Sequence, residues 1–113
     1  MNYTSFQDIF NDFNNVNVLI IGDVMIDAYI WGKVERMSPE APVPVVNVTK
    51  RDFRLGGAAN VALNVQALGA TPILCAVVGD DEKGRQFSER LAENNISAEG
   101  IVRSKDRPTT VKT

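Results

Sequence analysis

Leu55-Gly56-Gly57-Ala58-Ala59-Asn60 marks the point where a charged segment gives way to a nearly all-apolar helical run. The two glycines let backbone amides approach a ligand closely, because no Cβ stands in the way. The helix that follows directs its unpaired N–H groups and its positive dipole end to the same place. The stretch therefore predicts the floor of a pocket for a polar or phosphorylated small molecule. The alternative is a glycine-rich loop that only permits tight strand–helix packing, and two glycines alone favour that role.

Composition limits the classes of function. The chain has 113 residues, 44% of them apolar and 23% charged, with a net charge of −2, which is typical of one soluble domain. This balance gives no general attraction to nucleic acid or to an anionic membrane, so we expect neither as a partner. The N-terminus lacks a signal-peptide layout, and the single Cys75 cannot form an internal disulfide. These features predict a cytoplasmic protein.

Catalytic chemistry is restricted by the absence of histidine from the 113 residues. Ser–His and Cys–His nucleophile pairs are excluded from this stretch, as are most catalytic zinc sites. Cys75 lies in the apolar run 73–78, which predicts a buried, inert thiol. Acid–base chemistry here must come from carboxylates, lysine or water.

Two aspartates follow the first predicted strand. Residues 16–21 form a short β-branched run that stops at Gly22, which is typical of a buried parallel strand. Ligands of open α/β sheets bind beyond the carboxyl ends of such strands, where Asp23 and Asp27 lie. Asp23 is equally well explained as a solvated loop carboxylate. Asp27 has apolar neighbours on both sides, so an unpartnered carboxylate there would be costly.

Residues 28–53 predict a small sheet that stands off the main body. Short extended segments alternate with turn signals at Gly32-Lys33 and Ser38-Pro39. Pro42 and Pro44 cannot donate to a strand ladder, so they favour edge strands. Such a flap above the pocket could exclude water or provide a dimer surface.

The remaining elements predict an α/β fold with a doubly wound, mostly parallel sheet. A first helix opens at Ser5 with Asp8 as its capping partner, and it carries an apolar stripe. A helix over 57–68 is expected to be buried, apart from a polar facet formed by Gly57, Asn60 and Asn64, and to end at a left-handed Gly69. Satisfaction by neighbouring backbone is the alternative for the asparagines. Next come a buried strand over 72–78, a helix that starts at the acidic residues 80–82 and ends near 94, and strands at 101–103 and 109–111 around a polar turn.

The run 79–86 has the glycine spacing of a phosphate-binding P-loop and follows an apolar strand. Its chemistry is wrong, because Arg85 and Gln86 stand where lysine and serine or threonine belong. Three acidic residues also fill a loop that should cradle phosphate. We therefore reject a P-loop here.

The chain resembles the N-terminal half of the ribokinase-like (PfkB-type) sugar kinases. The resemblance rests on Ile21-Gly22-Asp23-Val24-Met25-Ile26-Asp27, the flap, and Gly56-Gly57-Ala58-Ala59-Asn60 at a helix start. Within the family, Ser38-Pro39-Glu40-Ala41-Pro42-Val43-Pro44-Val45-Val46 is similar to the heptose 7-phosphate kinases of the lipopolysaccharide pathway, which are fused to an adenylyltransferase in many bacteria. The resemblance implies that residues 1–113 are the N-terminal part of one ribokinase-like domain. The lid insertion is then at about 28–54, and the Rossmann-like sheet is incomplete at its C-terminus.

The resemblance also implies roles for individual residues. Asp27 would accept hydrogen bonds from sugar hydroxyls, and Gly56, Gly57 and Asn60 would hold the sugar. Asp23 joins this set by its position after the strand. A phosphate on the sugar needs a cation, for which Arg51, Arg54 and Arg107 are candidates by position, each with a solvated surface charge as the alternative.

The expected activity is transfer of phosphate from ATP, with Mg²⁺, to the anomeric hydroxyl of D-glycero-β-D-manno-heptose 7-phosphate. The family's catalytic aspartate lies in a Gly-Ala-Gly-Asp stretch that nothing in this sequence matches. We therefore expect no catalytic or metal residue in this chain, with ATP bound elsewhere, and a homodimer formed through the lid. The alternatives are a PfkB-type kinase for ribose, fructose phosphate or a nucleoside, or an inactive module that binds sugar or dimerises.

Overall fold

A computed structural model describes residues 2–113. The expected α/β architecture is confirmed, since helices and strands alternate around a parallel sheet. In chain order the elements are α1 (Phe6–Phe13), β1 (Asn17–Ile21), β2 (Val24–Met37), β3 (Pro44–Gly57), α2 (Ala58–Ala67), β4 (Thr71–Gly79), α3 (Glu82–Glu93), β5 (Ile101–Ser104) and β6 (Val111–Lys112).

The parallel sheet has the order β1-β4-β5, with β4 in the centre. The residues of β4 alternate between the two faces, and Leu74, Ala76 and Val78 point into the core. Phe87 and Leu91 of α3 are fully buried against this face. The core continues into Val24, Ile26 and Leu55 of the second sheet. Both helices that follow β3 and β4 thus pack on one side of the parallel sheet.

The opposite face of the parallel sheet is apolar and exposed in the described residues. Leu19 is 58% exposed and Ile21 is 77% exposed, so the prediction of a fully buried β1 is wrong. Cys75 is half-buried rather than buried, because it points to this same face. Helix α2 is likewise buried along one side only, at Ala59 and Ala62, and the expectation of burial nearly all round is wrong.

The lid is one long hairpin. Strands β2 and β3, each of 14 residues, pair antiparallel from Val24 opposite Gly57 to Met37 opposite Pro44. A strand of that length extends about 45 Å. The molecule therefore measures 68 × 37 × 20 Å, with a radius of gyration of 19.1 Å. About 13 Å is typical of a compact domain of this size. The lid protrudes, as the sequence predicts.

The hairpin is continuous where the sequence predicts a turn at Gly32-Lys33. The ladder shifts register between Trp31 and Gly32 and the strand carries on, so Gly32 marks a bulge. A Cβ at Gly32 would lie 2.6 Å from the Asn47 carbonyl oxygen, which explains the glycine. The turn predicted at Ser38-Pro39 is confirmed, since the Ser38 N–H donates to the Val43 carbonyl across 2.8 Å.

Strand β6 belongs to the second sheet, which has the order β3-β2-β6. It starts at Val111, two residues later than expected, and it pairs parallel with β2. The delay has a physical cause in Thr109, which is 7% exposed. Its N–H and hydroxyl donate to the Asp81 carboxylate at 2.8 and 2.7 Å, and its hydroxyl oxygen accepts the Gly79 N–H at 2.9 Å. These bonds fix the chain before it reaches β2.

The helix ends follow the sequence closely. Ser5 caps α1 by accepting the Asp8 N–H, Asp81 caps α3 by accepting the Gly84 N–H, and Gly69 has φ 104° after α2. Helix α1 has no buried residue, and Phe6 is 83% exposed. No helix within residues 2–113 is long and apolar enough to cross a membrane.

Candidate functional site

A hollow of about 450 Å³ opens where the base of the lid meets α2 and α3. We call it the lid-base hollow. Most of its lining residues come from the hairpin, and the rest come from α2, α3 and the residue that follows α3. Its lining residues are Asp27, Tyr29, Asp52, Phe53, Arg54, Leu55, Asn60, Leu63, Arg90 and Asn94.

Asp27 is the half-buried carboxylate of this hollow. It lies opposite Arg54 in the β2–β3 register, so both side chains project from the same face of the hairpin. Among residues 2–113, no hydrogen bond or ion pair engages its carboxylate. Asp27 therefore keeps its acceptor capacity for a ligand.

Gly56 makes room for that carboxylate. A Cβ at this position would lie 2.6 Å from Asp27 Oδ2 and 2.8 Å from Met25 Cγ. Distances this short do not occur between real atoms of these kinds, so any larger residue would displace Asp27. The glycine thus allows the Asp27 carboxylate to take its observed position.

Gly57 turns the chain from β3 into α2. Its φ of 61° lies in the left-handed region, and a Cβ there would collide with the Asp23 carbonyl oxygen. The same carbonyl accepts the Ala58 N–H across 2.8 Å. One of the amides predicted to face a ligand is therefore already paired, and Asp23 supports the turn with its backbone.

Asn60 reaches the lid-base hollow from the first turn of α2. Its side chain is exposed and has no protein partner among the described residues. Asn64, one turn later, is exposed and does not line the hollow. Of the two asparagines in the predicted polar facet, Asn60 alone lines the hollow, where its amide lies beside the free carboxylate of Asp27.

A cationic cluster forms one wall of the hollow. Arg54 Nε lies 3.2 Å from Asp52 Oδ2, and Arg90 Nη2 lies 3.8 Å from Asp52 Oδ1. The guanidinium of Arg54 also stacks over the Tyr29 ring at 4.8 Å. The hydrogen bond from Arg54 lowers the pKa of Asp52, and the Phe53 N–H contributes in the same direction.

The structure divides the predicted site residues. Asp27, Arg54 and Asn60 share the lid-base hollow, with Gly56 beneath Asp27. Asp23 and Arg107 instead line a second hollow of about 380 Å³ beside the carboxyl end of β1, against the middle of β4 and the start of β5.

Arg51 lies in a third depression, beside Lys83. Sequence reasoning missed Asp52, Tyr29 and Arg90. Arg90 gave no signal, because its place on the polar side of an amphipathic helix looks like that of any solvated arginine.

Within the run 79–86, the start of α3 is already occupied by the side chain of Asp81. Asp81 accepts the Gly84 N–H at 2.7 Å, at the helix start where a phosphate would bind. Hydrogen bonds from the Thr109 N–H and hydroxyl and from the Gly84 N–H lower the pKa of Asp81. These contacts agree with the rejection of a P-loop.

Residues 2–113 also contain no cluster of three histidine, cysteine, aspartate or glutamate side chains that could hold a metal ion.

Comparison with known proteins decides the family. The model of the pfkB family carbohydrate kinases matches residues 15–113. The chain belongs to this family.

The "Bifunctional protein HldE" of Pelobacter propionicus is 45% identical over 113 residues, which is 100% of this chain and 23% of that protein. The protein of the same name from Helicobacter pylori strain P12 is 53% identical over 96 residues, 85% of this chain and 21% of that protein.

A solved fructokinase from Xylella fastidiosa with bound ATP superposes with a TM-score of 0.58 at 25% identity. The match covers 84% of this chain and 26% of that one. The chain thus spans less than a quarter of the length of these two curated relatives, and its fold is similar to part of the fructokinase.

Proposed function

We propose that this chain forms the acceptor side of an ATP-dependent sugar kinase, with the lid-base hollow as the sugar site. The observation that carries the proposal is the free, half-buried carboxylate of Asp27 beside the free amide of Asn60. Sugars present hydroxyls that both donate and accept hydrogen bonds. A carboxylate accepts such bonds strongly, and an amide can do both.

The contribution of these residues to phosphoryl transfer is positional. That reaction requires mainly orientation and neutralisation of charge, with little covalent chemistry from the protein. Asp27 would accept bonds from hydroxyls of the sugar and Asn60 would fix its orientation, while Gly56 keeps the carboxylate in place. The protruding lid would exclude water from the site.

ATP with Mg²⁺ supplies the transferred phosphoryl group in this proposal. The described residues include no metal cluster and no phosphate-binding loop, so we assign none of them to the nucleotide or to the catalytic base. Those groups would have to lie outside residues 2–113.

The proposed acceptor is D-glycero-β-D-manno-heptose 7-phosphate, phosphorylated at the anomeric hydroxyl on the route to ADP-heptose for lipopolysaccharide. The similarity of the lid run 38–46 to heptose 7-phosphate kinases supports it, and so do relatives named HldE. The fructokinase neighbour favours a second candidate, a kinase for a different sugar.

The lid would also hold two copies together. Its apolar side chains are exposed on both strands, including Val34 at 58% and Val46 at 49%. These two residues face each other in the β2–β3 register, so they form part of one apolar surface. Burial of such a surface favours a homodimer.

The test uses the protein as its gene encodes it. It is incubated with MgATP and each of D-glycero-β-D-manno-heptose 7-phosphate, ribose, fructose, fructose 6-phosphate and adenosine, and ADP release and product mass are followed. We expect the heptose phosphate to have the highest kcat/KM and the isolated 113-residue chain to transfer no phosphate. A higher kcat/KM for another sugar would make that sugar the assigned substrate. Transfer of phosphate to none of the sugars would overturn the kinase proposal.

A further inference from the structure

We infer that Arg54 and Arg90 together bind an anionic group of the acceptor sugar, and we call this pair of arginines the seat. The anionic group is a different group of the sugar from the hydroxyl that Asp27 binds. Asp52 is the internal counter-ion of this seat. The inference rests on the proposed function, because it names the class of sugar that the lid-base hollow selects: one that carries a phosphate. Arg90 and Asp52 have no role in the proposal above.

The two guanidiniums come from different rigid elements. Arg54 is carried by β3 next to the buried Leu55, and Arg90 by α3 next to the buried Leu91. Their side chains remain accessible, at 60% and 41% exposure, and both line the hollow that contains Asp27 and Asn60. The seat is therefore held by the packed core and open to a ligand.

The geometry leaves donors for a phosphate. A guanidinium has five N–H donors in a fixed fork that matches phosphate oxygens. Arg54 gives Nε to Asp52, and Arg90 gives Nη1 to Glu93 at 2.9 Å. The 3.8 Å between Arg90 Nη2 and Asp52 is longer than a hydrogen bond, so this contact is electrostatic only. Within residues 2–113, both Nη groups of Arg54 and the Nε and Nη2 of Arg90 make no hydrogen bond to a protein acceptor, so these donors remain for a phosphate.

Stability alone is a weak reason for this cluster. Exposed ion pairs contribute little to folding, yet two arginines from separate elements converge here on one carboxylate. The stacking of Arg54 on Tyr29 also holds the plane of its guanidinium. Preorganised cations inside a ligand-sized hollow serve recognition of an anion better than they serve the fold.

The experiment measures binding and turnover with the gene-encoded protein. Titration calorimetry without nucleotide uses D-glycero-β-D-manno-heptose 7-phosphate and the same heptose without phosphate, and steady-state kinetics use both as acceptors. The variants are Arg54→Ala, Arg90→Ala and Arg90→Lys. Arg51→Ala is the control on the same strand and Arg85→Ala the control on the same helix, since neither lines the hollow. Melting temperatures verify that all of them fold.

We expect Arg54→Ala and Arg90→Ala each to weaken binding of the phosphorylated sugar about tenfold to a hundredfold, as loss of a charge-assisted bond does. Binding of the unphosphorylated sugar and both controls should stay within about twofold, and Arg90→Lys should fall between, because it keeps the charge and loses the fork. If the arginine variants weakened binding of both sugars equally, or of neither, the assignment of Arg54 and Arg90 to the anionic group would be wrong.

The binding data separate the two claims. If the wild-type protein transfers no phosphate but the arginine variants selectively lose the phosphorylated sugar, the seat stands and the kinase proposal fails.

Discussion

Replacement of Gly56 by alanine is the most informative single change in this structure. The new Cβ would lie 2.6 Å from Asp27 Oδ2, whereas ordinary contacts begin at 3.4 Å. The overlap is therefore roughly 0.8 Å, and the carboxylate must move by a comparable distance because Gly56 itself is buried in the strand. Misplacement of a substrate-positioning group by about 1 Å costs up to a hundredfold in rate.

We expect Gly56→Ala to raise the KM for the sugar about tenfold to a hundredfold while the KM for ATP stays within about twofold. Overpacking should also lower the free energy of unfolding by about 1–3 kcal/mol. Steady-state kinetics with each substrate varied in turn measures the first effect, and urea unfolding measures the second.

Two further variants isolate the cause. Gly22→Ala is the matched control, because its Cβ would lie 3.2 Å from the Ala58 Cβ, a much smaller overlap. In an Asp27→Ala background, Gly56→Ala should add little to the rise in sugar KM, since the carboxylate it displaces is gone. A wild-type sugar KM for Gly56→Ala, or full additivity with Asp27→Ala, would refute the idea that Gly56 acts through Asp27.

Three other predictions concern the hydrogen bonds of Thr109 to Asp81 and Gly79, and the lid. Thr109→Val should destabilise the fold by about 1–3 kcal/mol in urea unfolding, because the buried Gly79 N–H loses its acceptor. The pKa of Asp81 is lowered in the folded state, so its contribution to stability is present above about pH 4 and is lost as the pH falls through the lower folded value. Thr109→Val removes the hydroxyl that contributes to this lowering. The stability difference between wild type and Thr109→Val should therefore shrink from about pH 7 to about pH 3, and a difference in urea unfolding that stays constant with pH would contradict this linkage. Val34→Glu should convert the proposed lid dimer to a monomer in light scattering, whereas a dimer that persists would place the interface elsewhere, away from the Val34–Val46 surface.

Local sequence chemistry was sufficient to predict the element types and several ends. Ser5, Gly69 and Asp81 cap or terminate helices through bonds to near neighbours along the chain, so their patterns are legible without tertiary information. The continuous strand at Gly32 was mispredicted because a bulge and a turn both favour glycine. Only the approach of Asn47 from the opposite strand distinguishes them.

Burial was harder to predict than secondary structure. Leu19 and Ile21 carry the pattern of a buried strand, but burial depends on which layers pack on the sheet, and in residues 2–113 α2 and α3 pack on the other face. The candidate site shows the same limit. Asp27 and Asn60 were found through motifs, while Arg90 reaches the hollow from an element 30 residues further along, and no local pattern signals that approach.

The central claim is that Asp27 binds the acceptor sugar. It is tested most directly by Asp27→Asn, which keeps the size of the side chain and removes the charge, in kinetics with sugar and ATP varied separately. The predicted result is a rise in the sugar KM of about tenfold or more, with the KM for ATP within about twofold and an unchanged melting temperature. A sugar KM equal to that of the wild-type protein, for both Asp27→Asn and Asp27→Ala, would contradict the account.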